Sequence, residues 1–63
     1  VISRLGEVWE ARWASFPDQL LVVVEDGPGP LTCLDLLSGE VDLWLSSDLK
    51  EHRKAKLLLK RIA

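Results

Sequence analysis

The residues whose types could support chemistry are few, and their spacing limits what each can do. His52 stands four residues after Asp48, so a helix there would put both on one face. Two ligands do not complete a metal centre, and with one cysteine and one histidine in the chain no Cys/His zinc set exists. The plain reading of that pair is a surface ion pair or a cap. Cys33 is the one thiol, and its sequence neighbours Leu34 and Asp35 supply neither a base nor positive charge. It reads as a structural thiol on a strand. Glu25, Asp26 and Asp35 are carboxylates near turns, and no spacing pairs them for acid–base work. Gly27-Pro28-Gly29 lacks the Gly-x-x-x-x-Gly-Lys pattern of a phosphate loop, and turn chemistry accounts for it. No nucleophile, base and orienting group occur together, so the chain is expected to be no enzyme and to need no metal or cofactor.

Two features point to binding instead. Trp44 alternates with Val41, Leu43 and Leu45 and lies on the same strand face as Asp42. If the aliphatic set points inward, Trp44 and Asp42 point outward, and an exposed tryptophan is a common anchor for a partner. The second feature is the basic cluster of the last fifteen residues. Residues 1–48 hold nine acidic and two basic side chains, a balance of −7; residues 49–63 hold one acidic and six basic, a balance of +5, which together give the net −2. Lys50, Arg53, Lys54 and Arg61 could share a face opposite a leucine stripe and meet an acidic protein surface or nucleic-acid phosphates. The bland reading is a solvated face that balances the acidic body. Trp44, Asp42, Lys50, Arg53, Lys54 and Arg61 are therefore the candidate partner-binding set.

The elements that must position these residues are short. At 63 residues the chain is expected to form one small domain. A chain of that length buries only about 60% of its unfolded surface. No intrachain disulfide can form, so packing of three tryptophans with many Leu and Val must supply the stability, and homodimerisation is the other route. A lone cysteine fits a reducing, cytoplasmic setting. The N-terminus lacks a basic region followed by an apolar run, and the longest apolar run, Leu20–Val24, is far short of a membrane span, so no membrane partner is expected. The chain begins at Val1, which leaves open a removed initiator or a longer parent.

Two turn signals set the middle of the chain. In Asp26-Gly27-Pro28-Gly29-Pro30, Pro28 fixes φ and Gly29 can take φ > 0, as a type II turn requires. Ser38-Gly39 predicts a tight two-residue hairpin. Leu20–Val24 is apolar on both faces and reads as a central, fully buried strand. Leu31–Leu37 and Val41–Leu45 alternate and follow as antiparallel neighbours. Residues 7–14 read as a strand, with Trp9, Ala11 and Trp13 on one face, or as a helix with Ile2, Leu5, Trp9, Trp13 and Phe16 in a stripe. In the C-terminal segment, Ser46, Ser47 and Asp48 are N-cap candidates with Glu51 in box-like spacing. Ala55, Leu58, Leu59 and Ile62 fall in a helical stripe, while a short helix over 47–54 before a last strand over 56–62 is the competing reading.

The resulting expectation is a mainly β chain. A meander over 5–46 forms a small antiparallel barrel of four to five strands, and a basic helical or helix–strand segment covers 47–63. The alternative order is αβββα. Gly6-Glu7-Val8-Trp9, Leu20–Val24, Leu34-Asp35-Leu36 with Gly39-Glu40-Val41, and a closing Leu57–Ile62 resemble the plan of an SH3-like small barrel over nearly the whole chain. Asp26 to Leu36, followed by Gly39-Glu40-Val41 and Trp44, also resembles the core hairpin of SUKH-superfamily proteins, over about a third of the chain. Both resemblances imply a non-catalytic, regulatory or protein-binding module. The αβββα alternative resembles double-stranded-RNA-binding folds and implies a small nucleic-acid-binding domain that uses the basic C-terminal segment.

Overall fold

The computed structural model describes residues 3–63, so Ile2, the first residue of the helical stripe considered above, lies outside the described residues. Six strands are assigned among them: β1 (Val8–Trp13), β2 (Gln19–Glu25), β3 (Leu31–Asp35), β4 (Val41–Trp44), β5 (His52–Arg53) and β6 (Leu57–Arg61). They form one antiparallel sheet in the order β4-β3-β2-β1-β6-β5. Its two edges, β4 and β5, are not paired with each other, so the expected small barrel of four to five strands is instead one open sheet of six. No helix is present among the described residues, and none is therefore long and apolar enough to cross a membrane.

The strand reading of residues 7–14 holds. Trp9 and Ala11 are buried on the inner face of β1 with Trp13 packed beside them, while Val8, Glu10 and Arg12 occupy the outer face. Ala11 lies opposite Gln19 on β2 and Leu59 on β6, at the middle of the sheet. Leu21 and Val23 of β2, Leu31 and Cys33 of β3, and Leu59 of β6 complete the sheet's share of the core.

Both predicted turn segments connect neighbouring strands, and the second differs from expectation in length. Gly29 takes a positive φ of 136° between β2 and β3. The β3–β4 hairpin has a four-residue loop, 36–39, rather than a two-residue turn: the Gly39 N–H donates to the Asp35 carbonyl at 2.7 Å and the Asp35 N–H to the Glu40 carbonyl at 2.8 Å. The wider loop is built around the Asp35 side chain. Its carboxylate accepts from the Leu37 N–H at 3.0 Å, the Ser38 hydroxyl at 3.0 Å and the Leu20 N–H at 3.3 Å. A buried carboxylate with three donors organises its own loop.

The C-terminal segment is a correction. The expected helical stripe and the αβββα order do not form. Residues 45–50 make turns, with the Asp48 and Leu49 N–H groups both donating to the Leu45 carbonyl at 2.9 and 3.2 Å, and residues 52–61 form a hairpin. Strand β6 pairs with β1 from Trp9↔Arg61 to Trp13↔Leu57, which satisfies its backbone more completely than an isolated short helix would. Because β4 and β5 lie at opposite edges, the connection between them must cross the open side of the sheet. Leu49 sits on that connection and is driven into the core.

A second correction concerns the phase of β4. Asp42 lies opposite buried Cys33, and Trp44 lies opposite buried Leu31. Asp42 and Trp44 thus share the inner face and are half-buried, while Val41 and Leu43 are 60% and 68% exposed on the outer face.

Candidate functional site

The open side of the sheet carries a row of aromatic side chains. Trp13, at the end of β1, lies 6.2 Å from Phe16 in an edge-on contact and 6.3 Å from Trp44 in a tilted one. Both spacings are in the range where aromatic quadrupoles attract. A polar chain holds this row in place: the Trp13 Nε1–H donates to Gln19 Oε1 at 2.8 Å, and Gln19 Nε2 donates to Asp42 Oδ2 at 2.7 Å. Those two bonds tie β1, β2 and β4 together across the inner face. They also explain why Asp42 can face inward, since its carboxylate has a donor waiting there.

Two clefts flank the tryptophan pair. The first, of about 440 Å³, lies between Trp13, Phe16, Pro17, Leu37 and the acidic side chains Asp18 and Glu40. Phe16 and Leu37 are 69% and 65% exposed along it. The second, of about 300 Å³, opens where the two free sheet edges face each other and is lined by Trp44, Asp48, Lys50, His52, Lys54 and Leu57. One end of the groove is therefore acidic and apolar, and the other is mostly basic. Nδ1 of His52 is buried and has no hydrogen-bond partner.

Of the six candidate partner-binding residues, three meet. Trp44, Lys50 and Lys54 line the second cleft together. Asp42 is bound to Gln19, two residues before Trp44 on the same strand face. Arg53 is exposed on β5, beside half-buried His52. Arg61 lies at the far end of β6, with its guanidinium 3.7 Å from Glu7. Asp48 and His52 do line one cleft, but through a turn and a strand rather than a helix. Sequence reasoning missed Trp13, Phe16, Gln19 and Leu37 as groove residues. The signal available was the inward Trp9/Ala11/Trp13 phase followed at once by Phe16-Pro17, which places an aromatic just past a strand end.

Behind the groove lies a charged knot that holds the crossing connection. The Arg4 guanidinium donates to the Ser46 carbonyl at 2.8 Å, to the Ser46 hydroxyl at 3.1 Å and to the Leu49 carbonyl, and its Nε donates to Glu7 at 3.1 Å. It also lies 5.8 Å over the Trp9 ring, whose Nε1–H donates to the same Glu7 oxygen at 2.9 Å. Burial pushes the Glu7 carboxyl up, but the hydrogen bonds from Arg4 and Trp9 and the charges of Arg4 and Arg61 outweigh it and hold it below its ordinary value. Asp35 is likewise pushed up by burial and brought down further by its backbone and Ser38 donors. The Cys33 thiol is raised, first by burial and then by the Asp42 charge. Among the described residues no group of three His, Cys, Asp or Glu side chains could hold a metal ion. Neither family models, curated proteins nor solved structures yield a match to this chain.

Proposed function

We propose that the chain is a non-catalytic binding module, regulatory in role, that holds a segment of another protein in the groove at the open side of its sheet. The observation that carries this reading is the Trp13–Trp44 pair standing between two clefts of unlike charge. Aromatic side chains held by packing give contact area at low entropic cost, and the flanking charges set orientation. The partner segment puts acidic side chains over Lys50 and Lys54 and an apolar one against Phe16 and Leu37. Cys33 is sealed beneath the sheet, which supports a structural thiol rather than a nucleophile, and a cytoplasmic setting suits it.

The six basic residues of the C-terminal segment do not gather on one surface, which favours a protein partner over nucleic acid. Lys50 and Lys54 enter the cleft, Arg61 turns to Glu7, Arg53 and Lys60 are exposed on β5 and β6, and Lys56 is exposed just before β6. The four-strand meander with the last strand returning to the first supports the SH3-like reading, opened at the β4–β5 seam.

The test is peptide selection from a randomised library on the immobilised chain, followed by titration of the selected peptides against tryptophan fluorescence. Selected peptides should pair Asp or Glu with an aliphatic or aromatic residue. The double reversal Lys50→Glu/Lys54→Glu should weaken them by about tenfold or more at low salt, and less as salt rises. Peptides without acidic residues, or an affinity the reversal leaves unchanged, would reject the reading. Trp44→Ala is the poorer probe, because Trp44 packs on the core and its loss perturbs the fold as well.

A further inference from the structure

We propose that the segment held in the groove binds as an added strand, paired through its main chain to the free edge of β4. This rests on the function proposed above and specifies how the segment is held. The phase of the ladder shows what the edge offers. The Asp35 N–H donates to the carbonyl of Glu40 at 2.8 Å, so hydrogen-bonded pairs recur at every second position, at Cys33↔Asp42 and Leu31↔Trp44. The β2–β3 ladder has the matching phase: the Leu36 N–H donates to the Leu20 carbonyl at 2.8 Å, which turns the backbone groups of Leu34 towards β2. Asp42 and Trp44 therefore direct their backbone groups to β3. Those of Val41 and Leu43 point away from the sheet, and among the described residues none bonds them.

The two sheet edges are unlike. Native edges are guarded by short length, lysine, proline, bulges or inward charges. β5 is guarded: it has two residues, one of them Arg53, and Lys54 and Lys56 follow it. β4 is twice as long, has no lysine or proline, and keeps an unbroken register with β3. Its inward charge, Asp42, leans to Gln19 on β2, away from the edge. Position and charge select the occupant. Glu40, just before β4, lines the first cleft, and Trp44, at its end, lines the second, so an added strand runs from one cleft to the other. Side chains of a strand alternate between faces. One phase of the incoming segment stands beside Trp44, with Lys50 and Lys54 in the same cleft, and acidic side chains suit it. The other stands beside exposed Val41 and Leu43 and suits aliphatic ones. A second copy fits the edge poorly, because it brings its own Lys50 and Lys54 to the same seam. The occupant is an extended segment of a partner protein in which acidic and aliphatic residues alternate.

Amide hydrogen exchange of the full chain, read by nuclear magnetic resonance, tests the added strand, with the tightest peptide selected on the immobilised chain as the probe. In the free chain the Val41 and Leu43 amides should exchange fast, while those of Asp42 and Trp44 are protected by β3. Saturating peptide should slow the first pair about tenfold or more. N-methylation of the peptide, one residue at a time, should weaken binding about tenfold or more at alternate positions and little between them, because only alternate N–H groups face β4. Leu43→Pro removes an N–H that β3 does not use, so near-ultraviolet dichroism of the tryptophans should persist while peptide affinity falls about tenfold or more. Selection that yields no acidic peptide rejects the groove function itself. Acidic peptides that bind yet leave Val41 and Leu43 exchanging fast, or an N-methyl scan without a two-residue period, overturn the added strand alone. Val41 and Leu43 amides that are already slow in the free chain and speed up on dilution assign the edge to a second copy, and overturn it too.

Discussion

Replacing Arg4 with alanine should remove most of the stability of the folded chain, although the residue lies outside every strand. Its guanidinium binds two backbone carbonyls of the connection that crosses the open side, at Ser46 and Leu49, and is paired with Glu7 at 3.0 Å. Truncating a charged donor to a backbone carbonyl costs about 1.5–3 kcal/mol per bond. The Arg4 side chain is 20% exposed, so water recovers part of that loss, and a total of about 2–4 kcal/mol remains. A domain of this size without disulfide or metal has about 3–5 kcal/mol to lose. With a urea slope near 1 kcal/mol/M, the midpoint followed by tryptophan fluorescence should fall by about 2 M or more. Arg4→Lys should lose more than half as much, because an ammonium cannot serve Ser46, Leu49 and Glu7 together. Arg12→Ala is the control: its pair with Glu10 spans 3.2 Å between side chains that are 59% and 34% exposed, worth less than about 0.5 kcal/mol. Leu49→Val should couple to Arg4→Ala, since freeing the connection already withdraws Leu49 from the core. An Arg4→Ala midpoint no lower than that of Arg12→Ala, or strict additivity with Leu49→Val, would refute the latch.

Two further outcomes follow from the same structure. Glu7 and Asp35 are both held below their ordinary values of 4.5 and 3.8, so each contributes stability that is complete above that value and is lost as pH falls through the lower, folded one. The urea midpoint should be level above about pH 5 and drop steadily in acid, and Glu7→Gln should shallow that drop; a midpoint that holds or rises on acidification contradicts the assignment. Gly39 takes φ of 79° in the β3–β4 loop with open space where a Cβ would go, so Gly39→Ala should cost about 1–2 kcal/mol of pure backbone strain, while Gly27→Ala, equally open and without a positive φ, should be neutral or slightly stabilising; equal costs for the two would disprove the turn geometry.

Much of the sheet can be read from residue types because local and long-range preferences agree there. The β-branched run at Val22–Val24, the Pro28-Gly29 pair and the alternation of Trp9, Ala11 and Trp13 each favour the state they adopt. The C-terminal segment could not be read that way. Lys56-Leu57-Leu58-Leu59-Lys60 has no β-branched residue and follows three capping candidates, so local propensity points to a helix. The free edge of β1 overrides that preference with a ladder of five paired positions. The groove was half legible for a related reason. Trp44, Lys50 and Lys54 are close in sequence, but Trp13 and Phe16 join them only through the fold.

The phase of β4 shows how the two surfaces are linked. Val41, Leu43 and Leu45 outnumber Asp42 and Trp44 in aliphatic carbon, and a rule that sends the greasier phase inward buries the wrong one. The choice is settled by partners that lie elsewhere in the chain. Gln19, itself fixed by Trp13, offers Asp42 a donor on the inner face, and Trp44 finds Trp13 there. Turning β4 over would strand a carboxylate's partner and break the tryptophan pair, losses that a few more buried methyl groups do not offset. The same choice strands Val41 and Leu43 in water. Arranging Asp42 and Trp44 for the groove on one face therefore leaves Val41 and Leu43 exposed on the other.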